Sequence, residues 1–196
     1  MDVSQLALAL GSSLAAGLNL YITILTLGLA QRFEVLHLPA DLQILANTWV
    51  LVTAGLLLVV EFFADKIPYL DNTWDAIHTF IRVPAGALLA AGALGQLSQQ
   101  WIWVAALLGG FVSFSSHGAK ASTRLAVNAS PEPFSNWILS FGEDAVSLGV
   151  LWLASSHPYL AIGVVVVAVG ACLTILFVFF RFLKLLFRRR RAASPA

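Results

Sequence analysis

From Tyr159 to Phe180 the chain runs 22 residues without a charged side chain, and from Gln5 to Gln31 it runs 27. About 20 mainly apolar residues suffice for a helix to cross a bilayer. A helix also satisfies its own backbone hydrogen bonds in lipid, which an isolated strand cannot do. Two such runs in 196 residues exclude an ordinary soluble domain. Only 11% of residues are charged, against about 25% in soluble domains. The net charge of +1 gives no sign of a nucleic-acid partner. The single cysteine, Cys172, lies in an apolar run, which excludes a disulfide framework and a cysteine metal cluster. The segment Met1–Gln5 has no basic side chain, and the run after it is too long for a signal-peptide core. It reads as a retained span.

The fold class expected is all-α, a polytopic membrane protein with six transmembrane helices. The spans are Gln5–Gln31, Ile44–Phe63, Val83–Leu97, Trp101–Ala121, Asn136–Ser155 and Tyr159–Phe180. Asp71-Asn72-Thr73 reads as a helix start, and Trp74, Ile77, His78 and Ile81 keep helical spacing. That piece is expected to lie in the interface, with Pro84 kinking it or starting the third span. Ser130-Pro131 reads as a cap before the fifth span. Placing the C-terminus in the cytoplasm puts Lys66, Arg82, Lys120, Arg124, Arg181, Lys184 and Arg188–Arg191 on that side and only Arg32 outside. Both termini are then cytoplasmic. Residues 1–187 form the membrane domain, and 188–196 a basic tail that anchors to anionic lipid.

Ala64-Asp-Lys-Ile-Pro68-Tyr69-Leu70 aligns without gaps on Ala154-Ser-Ser-His-Pro158-Tyr159-Leu160. Repeats of three spans, 1–98 and 99–187, would have opposite topology, the 3+3 inverted arrangement of many secondary transporters.

An ionisable side chain in lipid costs about 2.5–3.5 kcal/mol, so it faces a protein interior or a wet cavity. Glu61 and Asp65 share a helix face at i,i+4, either as cation ligands or as a helix end paired with Lys66. Glu143 lies about 10 Å below the interface, and Asp144 points elsewhere on the same helix. Glu143 either binds a cation or pairs with a base of the fourth span. Ser113, His117, Lys120 and Arg124 follow i, i+4, i+7, i+11, one stripe that becomes basic toward the cytoplasm. Lys120 and Arg124 either snorkel to headgroups or serve as counterions. His117 is either a satisfied core histidine or a group that titrates near neutral pH. Ser13 and Gly17 suit close helix packing, and Asn19 serves as an interhelical hydrogen bond or a ligand.

The cytoplasmic half holds seven acids (Glu61, Asp65, Asp71, Asp75, Glu132, Glu143, Asp144) against four bases (Lys66, Arg82, Lys120, Arg124). The acidic surplus favours a cation or proton path, and oxygen ligands alone suit hard cations. Among them, Glu61, Asp65 and Glu143 are the expected metal ligands. No nucleophile with its base stands at a recognisable spacing, so no enzyme is expected.

Four blocks carry a resemblance. They are Ala16-Gly17-Leu18-Asn19-Leu20-Tyr21, Glu61 to Pro68 with Asp71 and Trp74-Asp75, Ser116-His117-Gly118-Ala119-Lys120-Ala121, and Asn128 to Pro133 with Asn136 and Glu143-Asp144. With them the chain resembles a bacterial family of integral membrane proteins catalogued as a domain of unknown function, number four-one-two-six. The resemblance brings no settled activity. Glu61…Asp65-Lys66 is also similar to the Glu-x-Gly-Asp-Lys-Thr/Ser motif of a divalent-cation and proton exchanger family. The spacing here is four rather than three, Ala64 replaces the glycine and Ile67 the hydroxyl residue.

The expected function is a small secondary transporter or channel of the bacterial inner membrane for a divalent or proton-coupled cation. Glu61, Asp65 and Glu143 would bind the cation, and Asn19 and His117 would line its path. No cofactor is expected. The partners are the lipid bilayer and a cation or proton, with no nucleic acid; a homo-oligomer is compatible. The alternative is a flippase or scaffold that holds a lipid phosphate through Lys66, Arg82, Lys120 and Arg124.

Overall fold

The computed structural model of the chain describes residues 2–95, 97–129 and 134–192, with the side chains of all of these except 68, 69 and 186–192. Glu132, the Ser130-Pro131 cap, residues 193–196 and the side chains of Arg188–Arg191 lie outside the described parts.

The described chain is all-α. Seven α-helices follow one another: α1 Val3–Leu18, α2 Leu20–Arg32, α3 Thr48–Ala64, α4 Pro68–Ala93, α5 Gln99–Val127, α6 Phe134–Ser156 and α7 Pro158–Ala192, with a 3-10 helix at Ala40–Ala46 before α3. Four of them are long and apolar enough to cross a membrane, over Leu70–Ala93, Gln99–Val127, Phe134–Ser156 and Pro158–Leu185. The 3-10 helix and α3, bent by 63°, count together as a fifth.

The chain departs from the sequence reading in three places, one of them the bend at Asn47 inside the expected span Ile44–Phe63. The run Gln5–Gln31 is not one helix, because Asn19 takes an extended conformation and breaks it. Its side-chain oxygen accepts from the Ile22 backbone N–H at 3.0 Å, so Asn19 is the N-cap of α2. The interfacial piece and the third span, in turn, are one helix. It starts at Pro68, a residue suited to the first helical position. Asp71 therefore sits in its first turn rather than before it. Pro84 lies inside and cannot donate to the Phe80 carbonyl, yet it does not end the helix. Packing against α1 and α5 holds both halves in line. Next to the proline, Ser113 Oγ donates to the Arg82 carbonyl at 2.8 Å and Ser13 Oγ to the Gly86 carbonyl at 2.8 Å.

The interior is organised around α1. Ten of its 16 residues are buried, and α4, α5, α6 and α7 all pack on it. Small residues make the approach close, as expected for Ser13 and Gly17. A Cβ on Gly17 would run into Ser116 Oγ and the Ser113 carbonyl. Ser116 Oγ reaches the α1 backbone at the Leu14 carbonyl, 3.0 Å away. By contrast α7 is barely covered: 6% of its most apolar 18-residue window is buried.

Gly17→Ala is expected to destabilise by about 1–3 kcal/mol, the usual cost of overpacking. Gly163→Ala on α7, where a Cβ meets nothing within 4 Å, should be neutral or stabilising. Thermal unfolding in detergent separates them; equal melting points would refute the close α1–α5 contact.

Candidate functional site

α4 carries Asp71, Asp75, His78 and Arg82; α5 carries Ser113, His117, Lys120 and Arg124. Both sets follow i, i+4, i+7, i+11, so each forms one stripe. The helices run antiparallel and the stripes meet rung by rung. Arg124 Nη1 is 3.3 Å from Asp71 Oδ1, and Lys120 Nζ is 4.0 Å from Asp75 Oδ1. At the far end the Ser113 hydroxyl meets the Arg82 carbonyl.

Neighbouring helices close the ladder. α3 and the turn after it bring Glu61 and Asp65. Glu61 Oε1 accepts from Arg82 Nη2 at 2.5 Å and lies 3.4 Å from Lys120 Nζ. Asp65 Oδ2 is 3.1 Å from Arg124 Nη2 and 3.7 Å from Lys120 Nζ. α6 brings Glu143, whose Oε2 is 2.6 Å from Arg124 Nη2 and 3.2 Å from Lys120 Nζ. Beside them, Ser140 Oγ donates to Asp65 Oδ2 at 3.2 Å.

Five carboxylates thus share three permanent cations. The side chains of Arg82, Lys120 and Arg124 are fully buried, and Glu143, the most accessible acid of the five, is 12% exposed. Just past the end of α3, burial alone pushes the Asp65 carboxyl up. The charges of Lys120, Arg124 and Arg82 outweigh it and hold that carboxyl below the usual carboxylate range.

The helix break opens into the same cluster. α1 ends with carbonyls that no helical N–H can reach. Arg82 Nη1 donates to the Leu18 carbonyl at 2.8 Å and to Gly17 at 3.3 Å, and Lys120 Nζ donates to Leu18 at 3.2 Å. Cations at a helix C-terminus are favourable. Asn19 adds a bond of its own, from Nδ2 to Asp144 Oδ1 at 2.8 Å. The interhelical role is the one the structure contains for Asn19, and Asp144 is held apart from Glu143 by it.

Both histidines of the ladder are satisfied core groups. His117 Nε2 lies 2.9 Å from the Thr79 hydroxyl and 3.1 Å from the Asp75 carbonyl, two oxygens able to accept its hydrogen. Its Nδ1 turns a lone pair to Arg82 Nη1 at 3.5 Å. A neutral imidazole fits this pattern. His78 is held likewise, with Nδ1 donating to the Trp74 carbonyl at 2.8 Å and Nε2 accepting from the Tyr21 hydroxyl at 2.7 Å.

Glu61, Asp65, Glu143, His117, Arg82, Lys120 and Arg124 therefore meet in one place, with Asn19 and Asp144 at its edge. Snorkelling of Lys120 and Arg124 is overturned, because both end in carboxylates rather than at the surface. Lys66 stands apart: its Nζ donates to the Phe62 carbonyl at 2.8 Å and sits 3.2 Å over the Phe62 ring. The expected pairing of Lys66 with Glu61 and Asp65 is not made, since those acids face inward. As for a metal, among the described residues no group of three or more His, Cys, Asp and Glu is placed to hold one. Lys120 and Arg124 stand between Glu61, Asp65 and Glu143.

Asp71 and Asp75 belong to the site too, though the sequence reading counted their charge without placing them among the candidate site residues. Their spacing from Arg82 was the signal, hidden by assigning them to an interfacial piece. Asn128 Nδ2 extends the network to Asp71 Oδ2 at 2.8 Å, and Asn136 Nδ2 to Asn128 Oδ1 at 2.6 Å. Four acceptors in the cluster remain without a hydrogen-bond partner among the described residues: Glu61 Oε2, Asp65 Oδ1 and both oxygens of Asp75.

An all-α membrane protein with a buried charge cluster at a broken helix is the class that fold and site define. Over residues 6–178 the chain matches the family described as Domain of unknown function (DUF4126), and it belongs to that family. No curated protein and no solved structure matches it.

Removing one member of a buried ion pair costs about 3–5 kcal/mol. Arg124→Ala is expected to destabilise by that order, and adding Glu143→Gln should recover part of the loss. Additive effects in this double-mutant cycle, read by thermal unfolding, would refute the coupling.

Proposed function

We propose that this protein is a six-span transporter or channel of the bacterial inner membrane that moves a small cation with coupling to protons. The count of six takes α1 with α2 as one span broken at Asn19, and the 3-10 helix with α3 as one bent span. Helix starts at Pro68 and Pro158, the same position of the aligned motif, support a 3+3 repeat.

One observation carries the reading. Five buried carboxylates share three cations, and four of their oxygens have no hydrogen-bond donor among the described residues. Desolvated negative charge beyond its counterions is offset by protons or by another cation. The cluster also sits at the break of a discontinuous helix, where secondary transporters bind coupling ions through freed carbonyls. Here Arg82 and Lys120 take those carbonyls as tethered cations. An arriving proton or cation competes with them for Glu61, Asp65 and Glu143, and so loosens α1 from α3 and α6. A lipid phosphate bound by Arg82, Lys120 and Arg124 would instead have to displace buried carboxylates from all three.

Orientation rests on fewer residues than the sequence suggests, because Arg82, Lys120 and Arg124 are interior. Lys66, Arg181, Lys184 and the tail still oppose Arg32. Single-cysteine labels in 32–43 and a reporter at Ala196 should report opposite faces, with the tail cytoplasmic. Signals from one face would remove the six-span count.

In liposomes the purified protein should pass protons, alone or with Na⁺, Mg²⁺, Ca²⁺ or Mn²⁺, when a gradient is imposed. Glu61→Gln and Asp75→Asn should abolish the flux while the protein stays folded. An absence of flux with every ion, together with headgroup binding sensitive to Lys120→Ala, would replace this reading by the lipid one.

A further inference from the structure

A cavity of about 470 Å³ opens between α2, the 3-10 helix and α4. That volume is within the range of small-molecule sites, about 300–1,000 Å³. Every side chain on its wall is apolar except one, Asp41. From Gly92 to Ala85 the wall follows α4, about 10 Å at the helical rise, and Gly95 extends it just past the helix end. Its inner end is marked by Leu20, the residue after Asn19, and by Ala85, one turn beyond Arg82. The cavity therefore lines the half of α4 that follows Arg82, and two of its wall residues are close in the chain to Asn19 and Arg82.

Asp41 is exposed and has no hydrogen-bond or ion-pair partner among the described residues. It is nevertheless positioned: its Oδ2 lies where a Cβ on Gly95 would be, so the missing side chain there leaves room for the carboxylate. One free negative charge at the end of an apolar chamber selects among ligands. A hydrated divalent ion gains nothing from apolar walls and gives up its water reluctantly. An anion is repelled. A neutral acyl chain fits the walls and leaves the acid unused. An apolar body with a single positive charge satisfies both.

We propose that this cavity is a binding site for a monovalent amphiphilic organic cation, the apolar body on Leu89 and its neighbours and the charge at Asp41. The proposal rests on the transport reading, for which it names the substrate class.

The test uses two ions of one shape and opposite charge, tetraphenylphosphonium and tetraphenylborate. Binding to the full chain in nanodiscs is measured over protein-free nanodiscs. Saturable phosphonium binding is expected, with the borate at least about tenfold weaker. Asp41→Asn, at an exposed position, should keep the melting point and weaken phosphonium binding about five- to tenfold, as one near-surface charge does. Ala85→Phe should block binding by filling the inner end; should it unfold the protein, Asp41→Asn decides alone. Equal binding of the two ions, unaffected by Asp41→Asn, would make the cavity a seat for an acyl chain and overturn the proposal. So would an absence of phosphonium binding. Because binding is read without a gradient, Asp41-dependent binding with no flux in liposomes sinks the transporter reading alone. Proton flux without phosphonium binding sinks the substrate class alone.

Discussion

Three buried cations set the terms for the rest of this molecule. Arg82, Lys120 and Arg124 lie inside a protein built for lipid, where an unpaired charge is costly. Each must therefore be met by carboxylates and carbonyls from other helices. Meeting them ties α3, α6 and the end of α1 to the paired helices α4 and α5. No single helix supplies both the bases and enough acids, so the cluster forms only when the bundle is assembled.

The break at Asn19 and the small residues of α1 belong to the same arrangement. Gly17 lets α5 approach until Ser116 touches the α1 backbone. That approach puts the last carbonyls of α1 within reach of Arg82 and Lys120. A bulkier residue at 17 would move the helix end away from the cations, and a continuous helix would take the carbonyls back. Close packing and charge compensation are thus one structural fact, seen once in volume and once in electrostatics.

For function, the important property is that the cluster is both dense and incomplete. Its cations are held by several partners each, yet among the described residues neither oxygen of Asp75 has a hydrogen bond, and Oδ1 meets Arg82 and Lys120 only at 4.0 Å. In a low-dielectric interior such a network is strongly coupled, so a change at one acid is felt by every lysine and arginine that shares it.

Much of this was written in the chain. Uncharged runs of helical length determined an all-α membrane protein, since lipid leaves the backbone no other local way to satisfy itself. The stripe Ser113, His117, Lys120, Arg124 was legible from its spacing, and its pairing with Glu143 was one of the readings open for that acid. The matching stripe from Asp71 to Arg82 has the same spacing, and was obscured because Pro84 suggests a boundary that packing overrides. The break at Asn19 was not read, because the run around it is uncharged over a full span length. Pairing was what only the tertiary structure decided. Sequence spacing shows which side chains share a face of one helix, but not which helix that face meets. Lys120 could have reached the surface. It turns inward because Glu61, Asp65 and Glu143, far from it in the chain, arrive together from two other helices.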